Sequence, residues 1–140
     1  MPDSPFDWNN YLRFAQVLVS TGNSETADRT ATSRSYYAAY WKARQLLEEQ
    51  GIIFPYKKSH EFCWESFSAI FIDGEQVGKL GFAFRDRRVH ADYQDIPLLE
   101  KKSADSDVQD AAYIIGALSN LTETEKQTAV RRANQIFPNY

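Results

Sequence analysis

The stretch Arg85-Asp86-Arg87-Arg88-Val89-His90-Ala91-Asp92-Tyr93 gathers three arginines, two aspartates, a histidine and a tyrosine within nine residues. Guanidinium groups grip phosphate oxygens bidentately and an imidazole carries a proton near neutral pH, so this set of side chains suits phosphodiester cleavage without a metal. The chain has only two histidines, and His90 is the one beside the densest cationic cluster. Its position therefore says more than its identity.

Spacing adds a condition. Helical residues advance about 100° each, so Arg85 and His90 stand roughly 140° apart and share no face if the helix is continuous. Asp86 and His90 are an i,i+4 pair, from which the carboxylate can hold the imidazole in one tautomer and raise its basicity. Arg85 and Arg88 are neighbours in the same sense. Joint action of Arg85 and His90 on one phosphate thus requires the helix to end near Val89, or a second copy of the motif to face the first across a two-fold axis.

The elements that must position this motif read as helices almost throughout. Ser4-Pro5-Phe6-Asp7 has the form of a capping box with proline at the first helical position, and Trp8, Tyr11, Leu12, Ala15, Leu18 and Val19 mark one face up to Thr21-Gly22. The second helix spans Ser24 to Gln50, rich in Ala, Arg, Leu and Glu and free of Pro and Gly. Its small side chains Ala27, Ala31, Ser35, Ala38 and Ala39 admit close approach by another helix or by a symmetry mate. After the loop Ile52 to Lys58, Ser59 caps a third helix that buries Phe62, Ser66, Phe67 and Ile70. Val77, Leu80, Gly81 and Phe84 then recur at helical spacing, which makes Arg85 to His90 the solvent-reaching last two turns of a fourth helix. Asp92 to Ser103, with Pro97, reads as a loop. Asp105, Asp107 and Asp110 favour the start of a fifth helix whose stripe is Val108, Ala111, Ala112, Ile115 and Leu118. The box Thr122-Glu123-Thr124-Glu125 opens a last helix that stops before Pro138. No segment has strand periodicity, so the expected fold class is all-α, a compact up-and-down bundle of five to six helices.

Composition bounds the rest. At 140 residues the chain suits a single domain over residues 1–140, and its 14% aromatic content argues for a packed interior rather than disorder. The lone Cys63 excludes an internal disulfide framework and a multi-cysteine zinc site and fits a reducing cytoplasm. The start Met1-Pro2-Asp3-Ser4 lacks the features of an export signal, and no segment approaches the ~20 apolar residues that span a bilayer. A net charge of -3 leaves any RNA contact to a local patch.

Three places in the chain together resemble a known family. Arg29-Thr30-Ala31-Thr32-Ser33-Arg34-Ser35-Tyr36-Tyr37-Ala38-Ala39-Tyr40, running on to Leu46-Leu47, resembles the arginine, serine and double-aromatic helix of HEPN domains, the small helical bundles of prokaryotic toxin and antitoxin pairs and RNA-processing effectors. Ser59-His60 at the start of the next helix is similar too. Arg85 with His90 matches the family's Arg-x4-6-His ribonuclease motif at its shortest spacing, and Asp86 fits the Asn, Asp or His that often follows that arginine. The resemblance covers residues 7–121, leaving 122–140 as a C-terminal helix and tail.

The resemblance implies a cytoplasmic toxin: a metal-independent endoribonuclease that needs no cofactor, works as a homodimer and cuts tRNA or mRNA by attack of the ribose 2'-hydroxyl. It assigns catalysis to Arg85, His90 and Asp86, the binding of flanking RNA phosphates to Arg87 and Arg88, and inhibition to a minimal nucleotidyltransferase antitoxin. Members paired with that antitoxin often carry an AMP-accepting tyrosine two positions after the histidine, whereas Tyr93 lies three after His90. Ala91-Asp92-Tyr93 also matches the ending of members without the catalytic histidine, which keeps open a non-catalytic HEPN partner that binds nucleotide or RNA for a nucleotidyltransferase. Read without the resemblance, His60 is a helix-start or surface residue. In the same reading, Tyr36, Tyr37, Tyr40 and Trp41 are core and interface residues, Arg29 and Arg34 make salt bridges, and Cys63 is buried.

Overall fold

The computed structural model describes residues 6–94 and 101–140, and among these the chain forms six α-helices. They are α1 (Asn9–Thr21), α2 (Glu25–Glu49), α3 (Ser59–Ser66), α4 (Val77–Tyr93), α5 (Lys101–Ser119) and α6 (Glu123–Ile136), with a short 3-10 turn over Phe137–Asn139. The all-α bundle is as the periodicity predicts. One addition breaks the helical run. Phe71–Ile72 (β1) and Glu75–Gln76 (β2) pair antiparallel around Asp73-Gly74, both at positive φ, a hairpin too short to leave an alternating pattern.

Helix ends follow local chemistry. Ser24 accepts from the Ala27 N–H at the start of α2, and Thr122 with Glu125 forms a complete capping box on α6. α1 starts later than its sequence suggests: the Asp7 carboxylate accepts from the Asn9 N–H, while the expected box at Ser4-Pro5 lies outside the described residues. α3 begins at Ser59 itself, preceded by Lys58 at φ 58° with no side-chain cap. α5 begins at Lys101, so Asp105, Asp107 and Asp110 sit inside it rather than at its first turn. Pro97 lies outside the described residues.

α2 is the hub, packed most extensively by α5, α1 and α4 and more lightly by α3 and α6. Tyr36, Tyr40, Leu47, Phe62, Trp64, Phe67, Phe84 and Leu118 fill the main core, each nearly or fully inaccessible. The small face of α2 is consumed within the chain. Ala31 packs with Ala15 of α1 and with Ala104 and Val108 of α5, while Ser35, Ala38 and Ala39 are buried as well, so this face is closed to a symmetry mate. On α5, Ala112 is exposed and Ile114 takes the buried place, because the stripe is centred one residue further round.

Candidate functional site

Two glycines set the position of α4. A Cβ at Gly81 would overlap the Trp64 indole and one at Gly78 would strike the Trp64 carbonyl oxygen, so only glycine lets α4 lie this close to α3. The other flank of α4 is tied to α2. Arg29 donates from Nη1 to the Ala91 and Gln94 carbonyls at 2.9 Å each and to the His90 carbonyl at 3.3 Å, capping the C-terminal end of α4 from a neighbouring helix.

Held this way, the motif residues fall into three environments. Arg85 faces α3, where its Nη2 meets Glu61 Oε1 at 3.2 Å, and its Nε is buried without a partner. Arg87 faces α5, with Nε on Asp107 Oδ1 at 2.6 Å and Nη2 on Asp110 Oδ2 at 3.1 Å. Arg88 points inward. It is only 6% exposed, lies over the rings of Tyr36 and Tyr37 at 5.4 and 5.1 Å, and reaches Asp92 Oδ2 at 3.4 Å, an oxygen that also accepts from Ser33 Oγ at 3.1 Å. The picture of Arg85 to His90 as solvent-reaching turns is therefore corrected: Arg88 serves the interior and Arg87 is engaged by two carboxylates. The cause is tertiary, since α2 and α5 both border this end of α4.

His90 is half-exposed on the open side of α4, and Asp86 is exposed one turn before it. No hydrogen bond joins the two among the described residues. α4 continues without a break through His90 to Tyr93, so the helix does not end near Val89 and a single copy leaves Arg85 and His90 roughly 140° apart. Tyr93 is 75% exposed and lines a shallow groove of about 410 Å³ with Glu25, Thr26, Arg29, Asp92 and Gln94. Asp92 and Tyr93 thus belong to α4 rather than to the following loop.

The other histidine holds a place that sequence reasoning missed. His60, in the first turn of α3, puts Nδ1 2.7 Å from the Tyr36 hydroxyl, stacks on Tyr40 at 4.0 Å and meets the Tyr37 ring in a T-shaped contact at 6.0 Å. Burial, then Arg88 and Arg85, push its pKa down from 6.5 to about 4. The signal available in sequence was the i,i+4 spacing of Tyr36 and Tyr40 on a buried face. Nothing there tied them to a residue 24 positions on.

The remaining residues hold structural places. Tyr36 and Tyr40 are core; Trp41 stacks on Trp8 at 4.6 Å; Arg29 pairs with Glu25 at 3.0 Å; and Arg34 lies over the Tyr11 ring at 5.0 Å. Cys63 is fully buried, and burial drives its thiol pKa up, away from nucleophilic reactivity. Among the described residues no three His, Cys, Asp or Glu side chains gather as metal ligands, and no helix is long and apolar enough to cross a membrane.

Protein-family models, curated proteins and solved structures give no match to this chain.

Proposed function

We propose that this chain is a metal-independent endoribonuclease of the HEPN toxin type, acting in the cytoplasm as a homodimer. The supporting observation is the unbroken α4, which carries Arg85 and His90 on one continuous helix, too far apart in angle to serve one phosphate from one copy. A two-fold mate lends its own motif to the same cleft. The small face of α2 being closed, this reading puts the mate on the side of α4 that carries Asp86 and His90.

In this reading one His90 takes the proton of a ribose 2'-hydroxyl as its oxygen attacks phosphorus. The partner copy's histidine gives a proton to the departing 5'-oxygen, leaving a 2',3'-cyclic phosphate and a 5'-hydroxyl. Arg85 offsets the charge that builds on the phosphoryl oxygens, exchanging Glu61 for substrate. Asp86 turns toward His90 when the cleft forms. Arg87 is the flanking cation that can exchange its carboxylates for phosphate, whereas buried Arg88 supports the fold beneath the site.

The test is cleavage of RNA by purified protein in EDTA. Activity is expected to disappear in His90→Ala and in Arg85→Ala. Activity lost on chelation and restored by Mg²⁺, activity kept by His90→Ala, or cleavage of DNA alone would overturn the proposal. A second reading, a non-catalytic HEPN partner that binds nucleotide or RNA for a nucleotidyltransferase, draws on the network of Ser33, Arg88 and Asp92, which presents Tyr93 outward without calling on His90. RNA bound but not cut, with His90→Ala indistinguishable from wild type, selects it.

A further inference from the structure

Between the β1–β2 hairpin, α4 and α5 lies a cavity of about 380 Å³, a size that takes a small ligand. Leu80 and Ala83 of α4 and Ile114 of α5 give it apolar walls, and Tyr113, 45% exposed, adds an aromatic ring. The carboxylates of Asp73, Glu75 and Asp110 and the Arg87 guanidinium complete the lining. Two of these carboxylates are already engaged. Tyr113 donates its hydroxyl proton to Asp73, and Arg87 donates to Asp110 Oδ2 at 3.1 Å while holding Asp107 Oδ1 at 2.6 Å.

Glu75 differs from the other two: among the described residues its carboxylate has no hydrogen-bond or ion-pair partner. Its backbone is nonetheless fixed. Glu75 is the register partner of Ile72 in the hairpin, and the Val77 N–H donates to the Ile70 carbonyl at 2.9 Å, closing the hairpin where α4 begins. The cavity thus offers one open pair of carboxylate oxygens beside apolar walls and a phenol ring, which fits a flat ligand that donates two adjacent hydrogen bonds. Its location ties it to the motif. Arg87 lines the cavity and precedes His90 by three residues on the unbroken α4, about 4.5 Å of helix rise. Ala83 and His90, seven residues apart, lie on one stripe of that helix.

We propose that this cavity is a guanine pocket, which receives the base of a nucleotide next to the scissile phosphate; for its substrate class the assignment rests on the nuclease reading. Among the RNA bases guanine alone sets two donors, N1–H and the 2-amino group, side by side on its Watson–Crick edge, where one carboxylate accepts both. Adenine, cytosine and uracil each place an acceptor beside their donor, and a carboxylate is repelled there. Glu75 takes the guanine edge, the base lies against Tyr113 and the apolar walls, and Arg87 serves the adjoining phosphate.

The experiment titrates the full chain with GMP, AMP, CMP, UMP and IMP, none of which has an internucleotide bond to cut, and follows the Ile114 methyl and Tyr113 ring signals by NMR. GMP should move both signals and bind about tenfold or more tightly than AMP, CMP or UMP. IMP lacks only the 2-amino group, and its binding should be weaker than that of GMP by about tenfold, as for a lost hydrogen bond to a charged group. Glu75→Gln changes an exposed position, so the fold should persist while the ratio of GMP to IMP affinity falls toward one. A ratio unchanged in that variant, equal binding of GMP and IMP in the wild type, or GMP shifts that leave Ile114 and Tyr113 unmoved would overturn the proposal. Agmatine, an alkylguanidinium, tests for a cation in place of a base: binding tighter than that of GMP at the same signals also overturns it. Cleavage of RNA that depends on His90 but shows no guanine preference in these titrations removes the pocket and leaves the nuclease reading. Guanine preference in a chain that cuts no RNA does the reverse.

Discussion

The Tyr36 hydroxyl accepts from the Trp64 indole N–H at 3.0 Å and is hydrogen-bonded to Nδ1 of His60 across 2.7 Å. Burial drives the phenol pKa up, so Tyr36 keeps its own proton throughout the physiological range. The pair joins α2 to α3 directly behind Arg85 and Arg88.

Tyr36→Phe should therefore be costly despite its small change in volume. It leaves the Trp64 N–H and His60 Nδ1 without partners, an expected loss of about 1–3 kcal/mol. Urea unfolding monitored by tryptophan fluorescence measures it. A variant as stable as wild type would show the bond to be dispensable.

Acid should destabilise the fold through His60. Its folded pKa, about 4, lies below the unfolded value of 6.5, so the unfolded chain binds the extra proton between those values. The contribution is fully present above about pH 6.5 and is lost as the pH falls toward 4, amounting to about 1–2 kcal/mol after solvent screening. The charges facing the ring are Arg44 from α2, Glu61 on α3, and Arg85 and Arg88 from α4. Unfolding free energies across this range, compared between wild type and His60→Gln, should show a shallower acid limb in the variant.

Gly81→Ala should be among the most damaging small substitutions, because the added methyl meets the Trp64 indole. Overpacking of this kind costs about 1–3 kcal/mol. Gly116 in α5 is exposed and has nothing within 4 Å of an added Cβ. Gly116→Ala should instead gain about 0.5–1 kcal/mol from helix propensity. Thermal melts of the two variants should move in opposite directions.

The two arginines between Asp86 and Val89, Arg87 and Arg88, should separate by stability. Arg88→Ala strips the partner from partly buried Asp92 and empties space against Tyr36 and Tyr37, an expected loss of about 2–4 kcal/mol. Arg87→Ala removes a half-exposed guanidinium from buried Asp107, which keeps the Thr32 hydroxyl, and should cost less than Arg88→Ala, about 1–2 kcal/mol. Denaturant titration of both variants checks the ranking.

If the proposed function brings with it a nucleotidyltransferase partner, Tyr93 is the hydroxyl that should receive AMP, since it is 75% exposed beside the groove at the end of α4. The added charge and bulk would obstruct RNA at the neighbouring His90. Intact mass after incubation with such a partner and ATP should rise by one adenylyl group, and Tyr93→Phe should abolish the gain. A gain that survives the substitution would place the modification elsewhere.

The helices themselves were legible in the sequence because each depends on its own residues. The face from Trp8 to Val19, the run from Ser24 to Gln50 and the box at Thr122 are short-range patterns that any packing must respect. The motif was legible for the same reason, down to the angle between Arg85 and His90. What the sequence could not determine was which charge meets which helix. Arg85, Arg87 and Arg88 are equivalent as residue types, yet α3, α5 and the α2 aromatics take one each, because α4 is wedged between them at an angle that Gly78, Gly81 and the Arg29 cap decide. The use of small residues on α2 was decided in the same way, by α1 and α5 arriving first within the same chain. His60 carries no local mark of its role, since its partners lie on α2 and α4. Only the tertiary fold, by burying Trp64 against Tyr36, joined the three side chains in one run of hydrogen bonds.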